Sequence, residues 1–396
     1  MHRLLVPAGL VLLVASPAFA QLTFEDTLER ARQSSPAIVA ARMRVEEARG
    51  RVVGASLPFS ANPTVEVEAG RHARETDYGV AVAQDLELPR RKRARLDASR
   101  AGVTQEEQRA REAEREVLRE VATLFFRAVE ASERADAAAS GKHLADEALR
   151  IAERRYAAGD VAQLDVNLAK TAVARADADA RLASAARSGY ATQLQVLLGL
   201  ADPVTVRGSL HDRSTLATTE LAARAADRPD VRVLEAEIAE AEAEQRFART
   251  LRWPDFGLRA SYAKEEGDRV VLGGVGVSLP LFNRGQEASA VASARLTRLR
   301  AERDALLRAI DAEVRGAIAS YHALRAAAVD YERTVLPLIE ENETLALESY
   351  DVGQIGLADL LLARREALDA RRAFIDQLIE TRLAEVELRA RTGVWK

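Results

Sequence analysis

One motif occurs twice in this chain at a fixed spacing. Tyr156-Ala157-Ala158-Gly159, followed by Asp165 and Ala169, returns as Tyr350-Asp351-Val352-Gly353, followed by Asp359 and Ala363. The same frame carries Gly199 onto Gly393. Upstream, Gly79-Val80-Ala81-Val82 corresponds to Gly274-Val275-Gly276-Val277, with the frame displaced by one residue. A repeat of this period is a statement about architecture: two similar halves, each placing the same turn at the same place.

What lies between the turns is helical. After Pro89 there is no proline and only two glycines as far as Arg155, and a second such stretch runs from Arg284 to Ser349 with Pro337 inside it as an expected kink. Stretches of about 65 residues span roughly 100 Å as helix. Glu107 with Arg111, and Glu130 with Arg134, are spaced as i,i+4 ion pairs. Return helices follow the turns and end at Gly199 and Gly393, which read as C-caps. Shorter helices open each half. Thr23 with Asp26 caps the first, Pro36 starts a helix reaching Leu57, and Pro229 starts its counterpart reaching Pro254. Charged residues make up 30% of the chain and aromatics only 5%, so thin packing with small interface residues is expected rather than a thick globular core.

Each half also carries two runs that alternate with period two. Val65, Val67 and Ala69 alternate with Thr64, Glu66 and Glu68; Tyr78, Val80 and Val82 alternate with small residues. The second half repeats this with Phe256 to Tyr262 and with Val275, Val277, Leu279 and Leu281. These read as two hairpins, within 63–88 and 254–282. The first repeat is therefore 21–199 (long helix 89–155, return helix 160–199) and the second 229–396 (long helix 284–349, return helix 356–393). Residues 200–228 form an irregular connector.

His2 and Arg3, the apolar run Leu4 to Val14 and Ala18-Phe19-Ala20 form a secretory signal over residues 1–20. The chain has no cysteine, so neither a disulfide nor a lipid on cysteine is available. Net charge is -4, with both signs plentiful, and nothing points to nucleic acid. Four strands cannot close a membrane barrel, which starts at about eight. Left open, the edges would aggregate, so they must pair with strands of other copies. Two copies give a filled barrel, and three leave room for a lumen. Trp253, where helix meets strand, suits a membrane interface. The run Arg90-Arg91-Lys92-Arg93 reads either as an anchor at lipid headgroups or as a solvated helix start. Glu66, Glu68 and Arg259 read as lumen-lining or as ordinary polar strand faces.

Taken together, the signal, the short helices around Ser35-Pro36, the hairpins, the long helices and the doubled Tyr-x2-Gly-x5-Asp turn resemble the TolC-type outer membrane efflux channels over essentially the whole mature chain. Leu279-Pro280-Leu281-Phe282-Asn283-Arg284-Gly285-Gln286 and Arg155-Tyr156 with Gly159-Asp160 resemble the cobalt–zinc–cadmium cation-efflux branch. The resemblance implies a mainly α fold with a small β part. Long helical hairpins form an α-barrel, and four strands per chain contribute to a twelve-stranded transmembrane barrel in a homotrimer. It implies an outer membrane exit duct reaching into the periplasm. Its partners would be a periplasmic adaptor, an inner-membrane pump of the resistance–nodulation–division type and outer membrane lipid. It further implies a periplasmic gate of Asp359, Tyr350 and Asp165, with a Tyr350–Asp165 hydrogen bond as latch, and adaptor-contacting turns at Tyr156, Gly159 and Gly353. Ile355 and Leu362 depart from the pattern, standing where an arginine latch and a second carboxylate ring are expected. An alternative reading makes Asp165 and Asp359 helix N-terminal charges meeting the macrodipole, and both roles can coexist.

No catalytic constellation is present, so an enzyme is not expected. His2, His72, His143, His211 and His322 are scattered without metal-ligand spacing, and His72 reads as a solvated loop residue. No cofactor is implied. Two rival readings are a periplasmic adaptor of such a pump and an exported coiled-coil scaffold. The adaptor would carry one hairpin unit where this chain shows two.

Overall fold

The computed structural model describes residues 21–72, 75–211, 215–265 and 268–395. The expected signal at 1–20 and the His72 side chain lie outside this description. In chain order the elements are β1 (Gln21–Leu22), α1 (Phe24–Ser34), α2 (Pro36–Ser56), β2 (Thr64–His72), β3 (Glu75–Leu86), α3 (Pro89–Ala158) and α4 (Gln163–Leu198). Then come β4 (Thr205–Val206), α5 (Thr218–Arg224), α6 (Pro229–Ala248), β5 (Asp255–Glu265), β6 (Asp268–Ser278), α7 (Gln286–Asp351) and α8 (Leu357–Thr392).

Helix limits follow local chemistry. Thr23 and Asp26 form a reciprocal capping box at α1: the Asp26 N–H donates to Thr23 Oγ1, and the Thr23 hydroxyl donates to Asp26 Oδ2 at 2.7 Å. That hydrogen bond lowers the Asp26 pKa. Pro36 and Pro229 occupy the first turns of α2 and α6, where a missing N–H costs nothing. The helix α7 continues across Pro337. Of the two expected i,i+4 pairs, Glu130–Arg134 forms at 2.8 Å. Glu107 instead meets Arg49 of α2 at 3.4 Å, because a neighbouring helix offers a cation on that side.

The described residues group into two compact units, each drawing on both sequence repeats. One comprises 21–34, 121–211 and 327–382; the other comprises 35–120, 215–326 and 383–395. Alanine is the commonest buried residue, which suits thin helix–helix packing. In the first unit, Phe24 of α1 lies on Phe125 and Phe126 of α3, with ring centroids 5.4 and 5.1 Å apart. In the second, Arg228 is buried and binds Asp230 at 2.5 Å and Glu313 at 3.2 Å. Arg391 of α8 meets the same Glu313 at 3.0 Å, so one polar clasp joins the start of α6, α7 and the end of α8.

The stretch expected to be irregular, 200–228, is more ordered than its composition suggests. β4 pairs in parallel with β1, and α5 leads into a 3-10 turn at Ala225–Asp227. Ala225 is buried with Val231, Ile310 and Val314, so the segment has packing partners of its own.

The second unit holds a four-stranded antiparallel sheet in the order β2-β3-β5-β6. The two hairpins meet along β3 and β5, from Tyr78↔Lys264 to Leu86↔Phe256. β2 and β6 are therefore the free edges. β6 ends at Ser278, so Leu279 and Leu281, expected within the strand face, lie beyond its end. Pro280 removes a ladder donor there.

Candidate functional site

Two features stand out in the described chain: a pair of helix turns in the first unit and the exposed sheet in the second. Each turn is built by glycine. Gly159 and Gly353 have φ of +85° and +78°, the left-handed region that disfavours side chains. The Gly159 N–H donates to the Tyr156 carbonyl at 3.0 Å and the Asp160 N–H to the Arg155 carbonyl at 2.9 Å. The same two bonds recur from Gly353 to Tyr350 and from Gln354 to Ser349, at 3.0 and 2.8 Å. These are Schellman motifs, which satisfy the last helical carbonyls. Gly199 and Gly393 close α4 and α8 with the same bond pair, so the sequence repeat is a repeat of helix stops.

The two turns pack on one another through Tyr350, Ala152, Ala169, Leu357 and Leu360, one apolar cluster drawn from α3, α4, α7 and α8. The tyrosines of the repeat are not equivalent. Tyr350 is 2% exposed, whereas Tyr156 is 46% exposed. The Arg155 guanidinium lies 5.0 Å from the centre of the Tyr350 ring, a cation–π contact. The Tyr350 hydroxyl is buried without a hydrogen-bond partner, so the expected Tyr350–Asp165 latch is not formed. Packing of the ring into the cluster sets the position of Tyr350, and Asp165 stays half-buried in the first turn of α4.

Asp359 is exposed in the first turn of α8, and its Oδ2 accepts the Gly356 N–H at 3.2 Å. The helix-capping role is thus present, and it leaves the outer side of the carboxylate in solvent. Ile355 packs against the Tyr350 cluster, while Leu362 is exposed one turn along α8 from Asp359. Leu164 and Val352 add exposed apolar surface around the turns.

On the sheet, register sorts the side chains by face. Val65, Val82 and Ala260 share one row; Val67, Val80, Tyr262 and Val271 share the next on that face. Leu258 with Val275, and Phe256 with Val277, complete it. From Phe256 to Tyr262 this apolar face runs about 20 Å along the strand. Its large side chains are exposed. Phe256 and Trp253 stand at one end and Tyr262 and Tyr78 at the other, as in the aromatic girdles of membrane barrels. The opposite face is mostly polar or small: it carries Glu66, Glu68, Ser261 and several glycines, with Val270 and Leu272 on β6, and Arg259 binds Glu66 there at 2.9 Å. A wall with a continuous apolar face, a mostly polar and small-residue opposite face and two open edges is what a segment of a membrane barrel requires.

The basic run beside the sheet is only partly a surface feature. Arg91 pairs with Asp255 and donates to the Thr250 and Trp253 carbonyls at 3.2 and 3.0 Å. It clasps the start of α3 to the start of β5, a role that neither expected reading assigned. Gly285, which the sequence marks only as part of a motif, has φ of +76°, and its N–H donates to Asn283 Oδ1 at 3.1 Å. An Asn-x-Gly stop before a helix was the available signal. Among the described residues, no helix is long and apolar enough to cross a membrane, which says nothing of a barrel. No group of three or more described His, Asp or Glu residues is placed to hold a metal ion.

Comparison with known proteins agrees with this wall-and-turn arrangement. The family described as outer membrane efflux protein matches residues 27–200 and 222–394. The chain belongs to that family. This efflux protein is 24% identical to the cobalt-zinc-cadmium resistance protein CzcC of Cupriavidus metallidurans, covering 96% of this chain and 97% of that one. Its fold matches a crystal structure of CusC with a TM-score of 0.77 at 17% identity, covering 95% of this chain and 93% of that one. It matches the CmeC outer membrane channel of Campylobacter jejuni with a TM-score of 0.78 at 18% identity, covering 93% and 85%. The protein is an outer membrane efflux protein. The adaptor and scaffold readings are set aside, because the family match covers most of the chain.

Proposed function

We propose that three copies of this efflux protein close a twelve-stranded barrel, β2 of one copy pairing with β6 of the next, and that the duct passes heavy-metal cations. The observation that carries the reading is the four-stranded sheet with an exposed apolar face, aromatic ends and two unpaired edges. The cobalt-zinc-cadmium relative supports the cargo. The chain divides into repeats 21–199 and 229–396 joined by 200–228. A periplasmic adaptor docks on the turns at Tyr156, Gly159 and Gly353, where Val352 and Leu164 offer apolar surface. The adaptor couples the duct to an inner-membrane pump of the resistance–nodulation–division type, which supplies the energy.

The gate consists of Asp359, Tyr350 and Asp165 in altered roles. Three Asp359 carboxylates around one axis attract cations and repel one another, so closure is incomplete without them being screened. The Tyr350 ring anchors the second turn against Ala152 and Ala169. Asp165 adds a carboxylate at the equivalent helix start. Because the chain has no cysteine, the trimer is tested directly. Single cysteines scanned along β2 are combined with single cysteines along β6. Covalent trimers at one register on non-reducing gels are expected; monomers at every register would contradict the barrel.

A further inference from the structure

The apolar face of the sheet ends in charge of one sign. Its last complete row before the hairpin loops is Ala69, Tyr78, Lys264 and Arg269. Lys264 of β5 and Arg269 of β6 stand directly opposite each other in register. Like charges so placed repel. Neither has an ion pair among the described residues. Arg71 lies on the same face, one row further out on β2. The acidic residues of these strands, Glu66, Glu68, Glu75, Asp77, Asp85, Asp255, Glu265 and Asp268, all belong to rows of the opposite face. No described carboxylate of the sheet is therefore available to neutralise the pair.

Along the face, the chemistry runs in a fixed order. Leucine and valine rows come first, the last of them also holding Tyr262; then comes the row of Tyr78, Lys264 and Arg269, and Arg71 lies one row beyond. A lipid presents the complementary order: acyl chains, an interfacial zone, then a phosphate. Long basic side chains extend along apolar surface while keeping the charge at the headgroup level. A guanidinium and an ammonium facing one gap hold a phosphate better than either alone.

We propose that Lys264 and Arg269, flanked by Arg71 and Tyr78, bind the phosphate of a phosphorylated lipid in the leaflet next to the hairpin loops. The anion seated between Lys264 and Arg269 removes their mutual repulsion and ties the outer rim of the sheet to its surrounding leaflet. This rests on the reading of the apolar face as the membrane side of the barrel.

The test uses the full mature protein in micelles of a maltoside detergent, which carries no phosphate. These are doped with lipid A that carries its phosphates or with the same lipid A stripped of them, and lipid retained on the extracted protein is counted by native mass spectrometry. Wild-type protein should retain the phosphorylated form about thirtyfold better, as expected for two basic contacts. Lys264→Gln with Arg269→Gln should abolish that preference, and Arg269→Gln alone, at an exposed side chain, should reduce it about fivefold. Glu68→Gln, on the opposite face, should leave it unchanged. Equal retention of the two lipids by wild type, survival of the preference in the double variant, or displacement of the lipid by millimolar inorganic phosphate would each overturn the proposal. Carbonate extraction of the wild-type protein from outer membranes separates the two readings. Release would remove the membrane face and the lipid site together. Resistance to carbonate with equal lipid retention would remove the lipid site alone.

Discussion

The Tyr350 hydroxyl and the Asp359 carboxylate separate packing from electrostatics at the paired turns. The hydroxyl is buried and unpartnered, which costs folding free energy, whereas the ring fills the cluster. Tyr350→Phe should therefore keep the closed conductance and gain about 1 kcal/mol of stability. Asp359→Asn should lower cation selectivity in the same planar-bilayer recordings. A leak in Tyr350→Phe would restore the Tyr350–Asp165 latch to the mechanism. A second contrast concerns left-handed glycines. At Gly353 an added Cβ meets nothing within 4 Å, so Gly353→Ala carries only the backbone strain of about 1 kcal/mol. At Gly285 the same Cβ would stand 2.9 Å from the Ala248 carbonyl oxygen and from Leu251 Cβ. Gly285→Ala should add about 2 kcal/mol of overpacking and lower the thermal midpoint far more than Gly353→Ala. Equal midpoints would show that the contact relaxes freely.

Between elements, ion pairs link neighbouring helices beside the apolar contacts. Arg295 of α7 binds Glu240 and Glu244 of α6, each at 2.7 Å. Burial raises the Glu240 pKa above 4.5 and outweighs the pull of Arg295. Because the folded value is the higher one, the ionised carboxylate weakens folding, and protonation relieves that cost as pH falls through the folded value. Arg295→Met removes the partner and raises the value further. The variant should lose most stability above neutrality and recover toward wild type on acidification, read from thermal melts between pH 5 and 8. A deficit independent of pH would assign the loss to packing. This network explains why the helix pairing was only partly legible. The i,i+4 rule found Glu130–Arg134 within one helix, but Glu107 turned to Arg49 on another, and no spacing rule reports that choice.

For the whole molecule, the face of the sheet decides where a charge is tolerated. Val275 and Gly274 are neighbours on β6 that point to opposite faces. Val275→Arg puts a charge on the apolar face and should cost about 2 kcal/mol of insertion, with loss of heat-resistant trimer from outer membranes. Gly274→Arg, where a Cβ meets nothing within 4 Å, should insert normally and alter conductance instead. Equal insertion of both variants would mean that the sheet does not face lipid.

The sequence alone determined the two repeats, the glycine stops of the helices, the four alternating strands and the resemblance to efflux channels. These depend on φ preference and on side-chain period, which neighbours in the chain set. It also located the residues of the paired turns, but not their contacts. Only the tertiary structure decided that β3 pairs with β5, that Arg91 clasps Asp255 rather than lipid, and that the Tyr350 hydroxyl lacks a partner while its ring is packed. Those outcomes depend on which distant groups compete for the same donor or cavity. Neither composition nor period carries that information, because the competing groups become neighbours only when the chain folds.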